Sequence, residues 1–107
     1  MAQMNWDEEK VLSALSLARK AGKAILGSES VKEAIRLGKA KCILIAGDVS
    51  SNTKKSFVNS CEYYHIDFAF CSNKSLMGKR LGREFCAVAA ITDASFLKML
   101  NGGGVLC

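Results

Sequence analysis

The chain has 107 residues, carries a formal net charge of +5, and is 50% hydrophobic with no proline. That length suits one domain with a real but small core, the apolar half excludes a disordered chain, and the positive surplus suits a polyanionic partner. No uninterrupted apolar run approaches the roughly 20 residues of a membrane span, and no cationic leader followed by a long apolar run opens the sequence, so a soluble, cytoplasmic protein is expected.

The acidic triplet Asp7-Glu8-Glu9 complements the N-terminus of a helix whose apolar residues recur at Val11, Leu12, Leu15 and Ala18, and Gly22 should end it. Ala24-Ile25-Leu26 reads as a short strand, after which Gly27-Ser28 turns the chain. Ser28 is the expected N-cap of a basic amphipathic helix with Val31, Ala34 and Ile35 on its inner face and Gly38 at its end. Cys42 to Ala46 is apolar without alternation, as a central strand covered on both faces would be. Ser50, Ser51 and Asn52 offer an N-cap for a helix whose buried stripe is Phe57, Val58, Cys61 and Tyr64. Asp67 to Cys71 is strand-like, Ser75 to Leu81 suggests a short helix, Ala87 to Ile91 is the last strand, and Phe96, Leu97 and Leu100 mark a closing helix. Residues 101–107, with three consecutive glycines, are expected to fray as a flexible tail.

Helices alternating with short apolar strands predict an α/β fold: a three-layer α/β/α sandwich around a small mixed, mostly parallel sheet of about four strands. No linker or change of composition divides residues 1–100, which read as one domain. The five cysteines, Cys42, Cys61, Cys71, Cys86 and Cys107, are odd in number and show no CxxC spacing. Four lie in apolar segments, so reduced, buried thiols are expected and no metal site is supported.

Enzyme signatures fail one by one. Gly22-Lys23, Gly38-Lys39 and Gly78-Lys79 lack both the earlier glycine and the following Ser or Thr of a phosphate loop. Gly78 and Gly82 lack the middle glycine of a dinucleotide fingerprint. His65, the single histidine, has no nucleophile elbow to partner it and suits the end of a helix. Asp48 ends the apolar central strand, where open α/β sheets often place functional groups, and equally suits the N-cap of the next segment. No catalytic residue, cofactor or metal is expected, and the chain reads as a non-enzyme.

The stretch from Leu26 to Asp48 does carry a chemistry. A glycine turn, a helix N-terminus and a run of cations in that order form a grip for phosphate backbones. A second basic run, Lys74, Lys79, Arg80 and Arg83, also sits beside a glycine turn.

These motifs together resemble a known family. Leu26-Gly27, then Ile35-Arg36-Leu37-Gly38-Lys39-Ala40-Lys41 and a strand ending Ala46-Gly47-Asp48, are similar to the ribosomal-protein family of the seven-Ae and thirty-e types, small α/β/α proteins that bind kink-turn RNA. Asp48 to Lys55, Cys61-Glu62-Tyr63-Tyr64, Met77 to Glu84 and Ala89 to Asp93 resemble its bacterial YlxQ-type branch. The resemblance spans roughly residues 10 to 100 and implies RNA binding through two loops on one side of the sheet. In the first, the family's G·A-reading positions fall on Gly27, Glu29, Ser30 and Glu33, of which only the glycine matches. Ser28 and Lys32 belong to the same turn, Lys32 standing about 100° around the helix from Glu33. Glu29 is suited to accept from a guanine edge, whereas Glu33 should repel phosphate unless Lys32 and Arg36 screen it. In the second loop the resemblance puts Arg83, Glu84, Phe85 and Cys86 beside a base flipped out at the kink, with Phe85 either stacked on that base or held as a partly buried core residue.

Lys23, Lys32, Arg36, Lys39 and Lys79 are the expected phosphate contacts, and Asp48 completes the candidate RNA-binding set. The implied partner is structured RNA, a kink-turn, in the ribosome or elsewhere in the translation apparatus, bound by a monomer. The alternative is a protein-interaction module on the same fold.

Overall fold

Capping and charge start the first helix as the acidic triplet predicts. α1 (Glu8–Lys20) is capped by Asp7, whose carboxylate accepts from the Lys10 amide at 3.1 Å, and it buries Val11, Leu12, Ala14, Leu15 and Ala18. The structure, a computed structural model, describes residues 6–97. β1 (Ala24–Leu26) leads into α2 (Ser28–Arg36), β2 (Cys42–Ala46) into α3 (Ser51–Tyr64), and β3 (Asp67–Cys71) into α4 (Lys74–Arg80), before β4 (Val88–Ile91). A 3-10 turn at Ala94–Phe96 stands where the closing helix is expected, while Leu100 and the tail 101–107 lie outside the described residues.

Two local expectations change. Ser28 is the first helical residue of α2 and not its cap; Gly27 holds the cap position, because its backbone turns there at φ +99°. Tyr64 is 43% exposed, so the buried face of α3 is Phe57 and Cys61. The helix ends at Tyr64 itself, where His65 turns left-handed at φ 59°, and the last side chain swings off the packed stripe. Ser50 does cap α3, its hydroxyl accepting from the Thr53 amide at 3.2 Å.

The sheet order is β1-β4-β2-β3. It is mixed, as expected: β1, β2 and β3 run one way and β4 the other, so β2 pairs parallel with β3 whereas β4 is antiparallel to both β1 and β2. The cause is the shortness of α4. Its 7 residues advance the chain only about 10 Å, and residues 81–87 then fold back along it. Arg83 donates its amide to the Gly78 carbonyl at 2.7 Å and Cys86 to the Lys74 carbonyl at 3.0 Å. The chain thus re-enters the sheet at the end it left, and β4 must run backwards.

α2 and α3 pack together on one side of the sheet, and α1 packs against α4 and the 3-10 turn on the other. All five residues of β2 are buried, as a strand covered on both faces requires. These directions sort the loops into two ends. At one end stand the N-termini of α2, α3 and α4 with the segment 81–87. At the other stand Lys23, Lys39 to Lys41, His65-Ile66 and Thr92-Asp93. Among the described residues no helix is long and apolar enough to cross a membrane.

Candidate nucleic-acid interface

The first loop is tied through its backbone to the start of β4, the strand that follows the second loop. Gly27 donates its amide to the Val88 carbonyl at 3.1 Å, and its own carbonyl accepts from Val31 at 2.9 Å to open α2. Its φ of +99° and ψ of 143° lie in a region open to glycine and strained for other residues. A Cβ placed there would meet nothing within 4 Å, so the requirement is conformational and not steric. Asp7, Ser50 and Asn73 each bond an amide in the first turn of their helices, whereas α2 has no side-chain cap. Its first turn, with Ser28, Glu29 and Ser30 exposed, presents a positive dipole end to solvent.

The second loop is shaped by packing. A Cβ at Gly78 would fall 2.8 Å from the backbone N and Cα of Phe85, so glycine is what lets the loop lie on α4. With its backbone held inward, Phe85 projects outward and is 59% exposed, so it is not a core residue. Arg83 and Glu84 are exposed beside it. Cys86 departs from expectation. It is buried, its thiol directed to the Val88 carbonyl at 3.5 Å, so it supports the loop from beneath and offers no surface to a ligand.

Between α2 and α3 runs a groove of about 260 Å³ lined by Ser28, Glu29, Lys32, Asn52, Thr53 and Phe57, among others. Lys32 reaches over the Phe57 ring, with Nζ 5.4 Å from its centroid. Asn52 and Thr53 are functional candidates that sequence reasoning missed, having assigned Asn52 only to a cap; a polar run directly after a buried strand was the available signal. On the other side of α2 a groove of about 320 Å³ is lined by Ile25, Glu29, Ser30, Glu33 and Leu37, among others.

Charge is arranged differently from the expectation. Arg36 donates to the Glu33 carboxylate, and both side chains are more than half exposed. That bond raises the Arg36 guanidinium further above its ordinary range. The pair neutralises the acid that should repel phosphate, and it engages a cation expected to contact it. Asp48 neither caps α3 nor stands free: its carboxylate accepts from the Lys74 amide at 2.9 Å, tying the end of β2 to the start of α4. Lys23 and Lys39 lie at the far end of the sheet from Gly27, since Ala24 pairs with Ile91 while Leu26 pairs with Ala89. Lys79 is exposed on α4, in the layer opposite α2. The structure therefore gathers Gly27, Ser28, Glu29, Ser30, Lys32, Arg83, Glu84 and Phe85 at one end, with Glu33 and Arg36 further along α2.

Burial pushes the thiols of Cys42, Cys61 and Cys71 up to about 12, so they stay protonated at neutral pH and offer no thiolate. Among the described residues no group of three or more His, Cys, Asp or Glu side chains is placed to hold a metal.

This arrangement has relatives. Residues 9–101 match the model of the "Ribosomal protein L7Ae/L30e/S12e/Gadd45 family". The chain is 33% identical over 100 residues to the RNA-binding protein YlxQ of Bacillus subtilis, covering 94% of this chain and 95% of that one. It is 33% identical to the large ribosomal subunit protein eL30 of Dictyostelium discoideum, covering 81% of this chain and 80% of that one. A solved structure of a Bacillus halodurans protein of unknown function superposes with a TM-score of 0.82 at 27% identity, covering 90% of this chain and 96% of that one. The chain belongs to the L7Ae/L30e/S12e/Gadd45 family.

Membership carries the α/β fold and the bacterial YlxQ-like character read from the motifs. Glu29 lines both grooves flanking α2, and Glu33 is already paired.

Proposed function

We propose that this L7Ae-family chain is a non-enzymatic binder of structured RNA, and that the end of the sheet carrying Gly27 and Phe85 receives a kink-turn. The observation that carries the reading is the Gly27 amide to Val88 carbonyl bond, which sets the uncapped start of α2 beside the exposed Phe85 loop. The names of the relatives, an RNA-binding protein and a large-subunit ribosomal protein, support the same class of partner and a role near the translation apparatus in the cytoplasm.

Each residue then has a task. Gly27 lets RNA approach the backbone closely, and the α2 N-terminus favours its negative charge. Glu29 accepts from the N1–H and N2–H₂ edge of a guanine in a sheared G·A pair. Lys32 and Arg83 face phosphates, and Phe85 stacks on the base extruded at the kink. Shape and backbone contact dominate, because A-form helices keep their base edges in a deep, narrow major groove.

The test is a titration of a labelled kink-turn RNA and of a control whose tandem G·A pairs are replaced by Watson–Crick pairs, at two salt concentrations. Preferential binding to the kink-turn, weakening with salt by roughly 0.7–0.9 log units per phosphate contact per decade, is expected. Equal binding to both RNAs would reduce the reading to generic electrostatics. No binding at low salt would favour the protein-interaction alternative.

A further inference from the structure

The opposite end of the sheet holds features that the kink-turn reading leaves unused. A groove of about 290 Å³ opens between the C-terminal ends of α2 and α3, lined by Ile35, Ala40, Lys41, Tyr64, His65 and Ile66, among others. Its floor is aliphatic and its rim carries a cation and two aromatic rings. Tyr63, 77% exposed, stands beside Tyr64 in an edge-on pair with centroids 4.9 Å apart. The two rings stand next to each other at the surface and offer adjacent aromatic faces.

Four exposed lysines converge on the same end. The Lys41 amide donates to Ile91, and the Lys23 carbonyl accepts from the amide of Thr92 at 2.8 Å, so the two lysines flank the end of β4. Lys39 lies two residues before Lys41, and Lys20 closes α1. The acids nearby are Asp93, Asp67 and Glu62; the Asp93 carboxylate accepts from the Ser95 amide at 2.9 Å and is held below its ordinary range by that bond and by the charges of Lys23 and Lys41. Lysines at the ends of α1 and α2 complement the helix dipoles, which accounts for Lys20, Lys23 and Lys39. Asp93 gives Lys23 and Lys41 a nearby counter-charge, and none of this accounts for the two exposed tyrosines.

Cations that follow a backbone, interleaved with exposed rings on which bases can stack, are the elements of single-strand recognition, and a duplex offers no free base face to such rings. We infer that this end of the molecule is a second nucleic-acid surface, taking an unpaired RNA segment with one base in the Lys41–Tyr64–His65 groove. It lies some 16 Å from the Gly27 loop, the length of a five-residue strand, so one RNA carrying a fold and an unpaired flank has room to engage both ends.

The experiment uses the full chain and two labelled RNAs at low salt: a blunt kink-turn hairpin, and an oligouridine about ten nucleotides long, within the roughly 4–16 nucleotides of one single-strand site. Tyr64→Ala and Lys41→Glu are each expected to weaken oligouridine binding about tenfold while hairpin affinity stays within about twofold. Phe85→Ala should do the converse. Tyr63→Ala, at a side chain more exposed still, guards against a fold defect in Tyr64→Ala and should weaken oligouridine binding in the same direction. Oligouridine affinity unmoved by both tyrosine variants, or lost with Phe85→Ala, would overturn the inference. So would sensitivity to Lys41→Glu alone, the mark of generic charge. Wild-type binding to the hairpin without the oligouridine removes this surface only, whereas binding to the oligouridine without the hairpin removes the kink-turn reading only.

Discussion

The two loops at the Gly27 end use glycine for opposite reasons. At Gly27 the space is open and the backbone is the constraint, with φ at +99° and no atom within 4 Å of a would-be Cβ. At Gly78 the helical backbone is ordinary and space is the constraint, with the Phe85 backbone 2.8 Å from where a Cβ would stand. One loop is therefore defined by local conformation and the other by contact with a helix. The difference teaches where each is fragile: the first will yield to strain while staying in place, and the second will come away from its support.

Gly78→Ala should break the comparison hardest. Alanine improves helix propensity by up to about 1 kcal/mol, but the methyl would collide with backbone that has no rotamer to change, and such overpacking costs typically about 1–3 kcal/mol. We expect a net loss of up to about 2 kcal/mol, read as a lower denaturant midpoint, together with loss of RNA affinity as Phe85 is displaced. An unchanged midpoint would mean that the 84–86 segment shifts at no cost. Phe85→Ala comes next and separates contact from support. Stability should hold, because the ring is 59% exposed, while kink-turn affinity drops by about 1–3 kcal/mol, or about 5- to 150-fold. Gly27→Ala follows, with a cost of about 1–3 kcal/mol from forcing an L residue into a φ/ψ region that is essentially glycine's alone. Should Gly27→Ala prove as stable as the parent chain, the loop's conformation in solution would differ from the one described.

Much of this molecule was legible in its residues. β2 and β3 occupy the predicted bounds because an unbroken apolar run between polar residues has little freedom in where it starts and stops. The direction of β4 was not legible, since it follows from how far a two-turn helix carries the chain before the loop returns along it. Nor was the division of the cations. Lys23 is four residues from Gly27 in sequence, yet an intervening strand sets them about 13 Å apart, at different ends of the sheet. Cys86 reads as apolar in either role, and only the fold-back onto α4 turns it inward. Nor could Asp48's bond to the Lys74 amide be read, because that partner is distant in sequence.

The smallest effect concerns Glu33 and Arg36, where the contribution of a cation is indirect. If Arg36 contacts phosphate, Arg36→Gln weakens RNA binding whatever stands at position 33. If its task is to screen Glu33, Arg36→Gln weakens binding because a carboxylate on α2 is left uncompensated, and Glu33→Gln in the same chain restores it. The geometry favours screening, since the guanidinium already donates to that carboxylate. Both groups are exposed, so the field of the freed acid is reduced by solvent and salt. We therefore expect only about a twofold loss of affinity for Arg36→Gln at low salt, and recovery in the double variant. An additive further loss in the double variant would reassign Arg36 to direct phosphate contact and move the RNA footprint further along α2 toward its C-terminus.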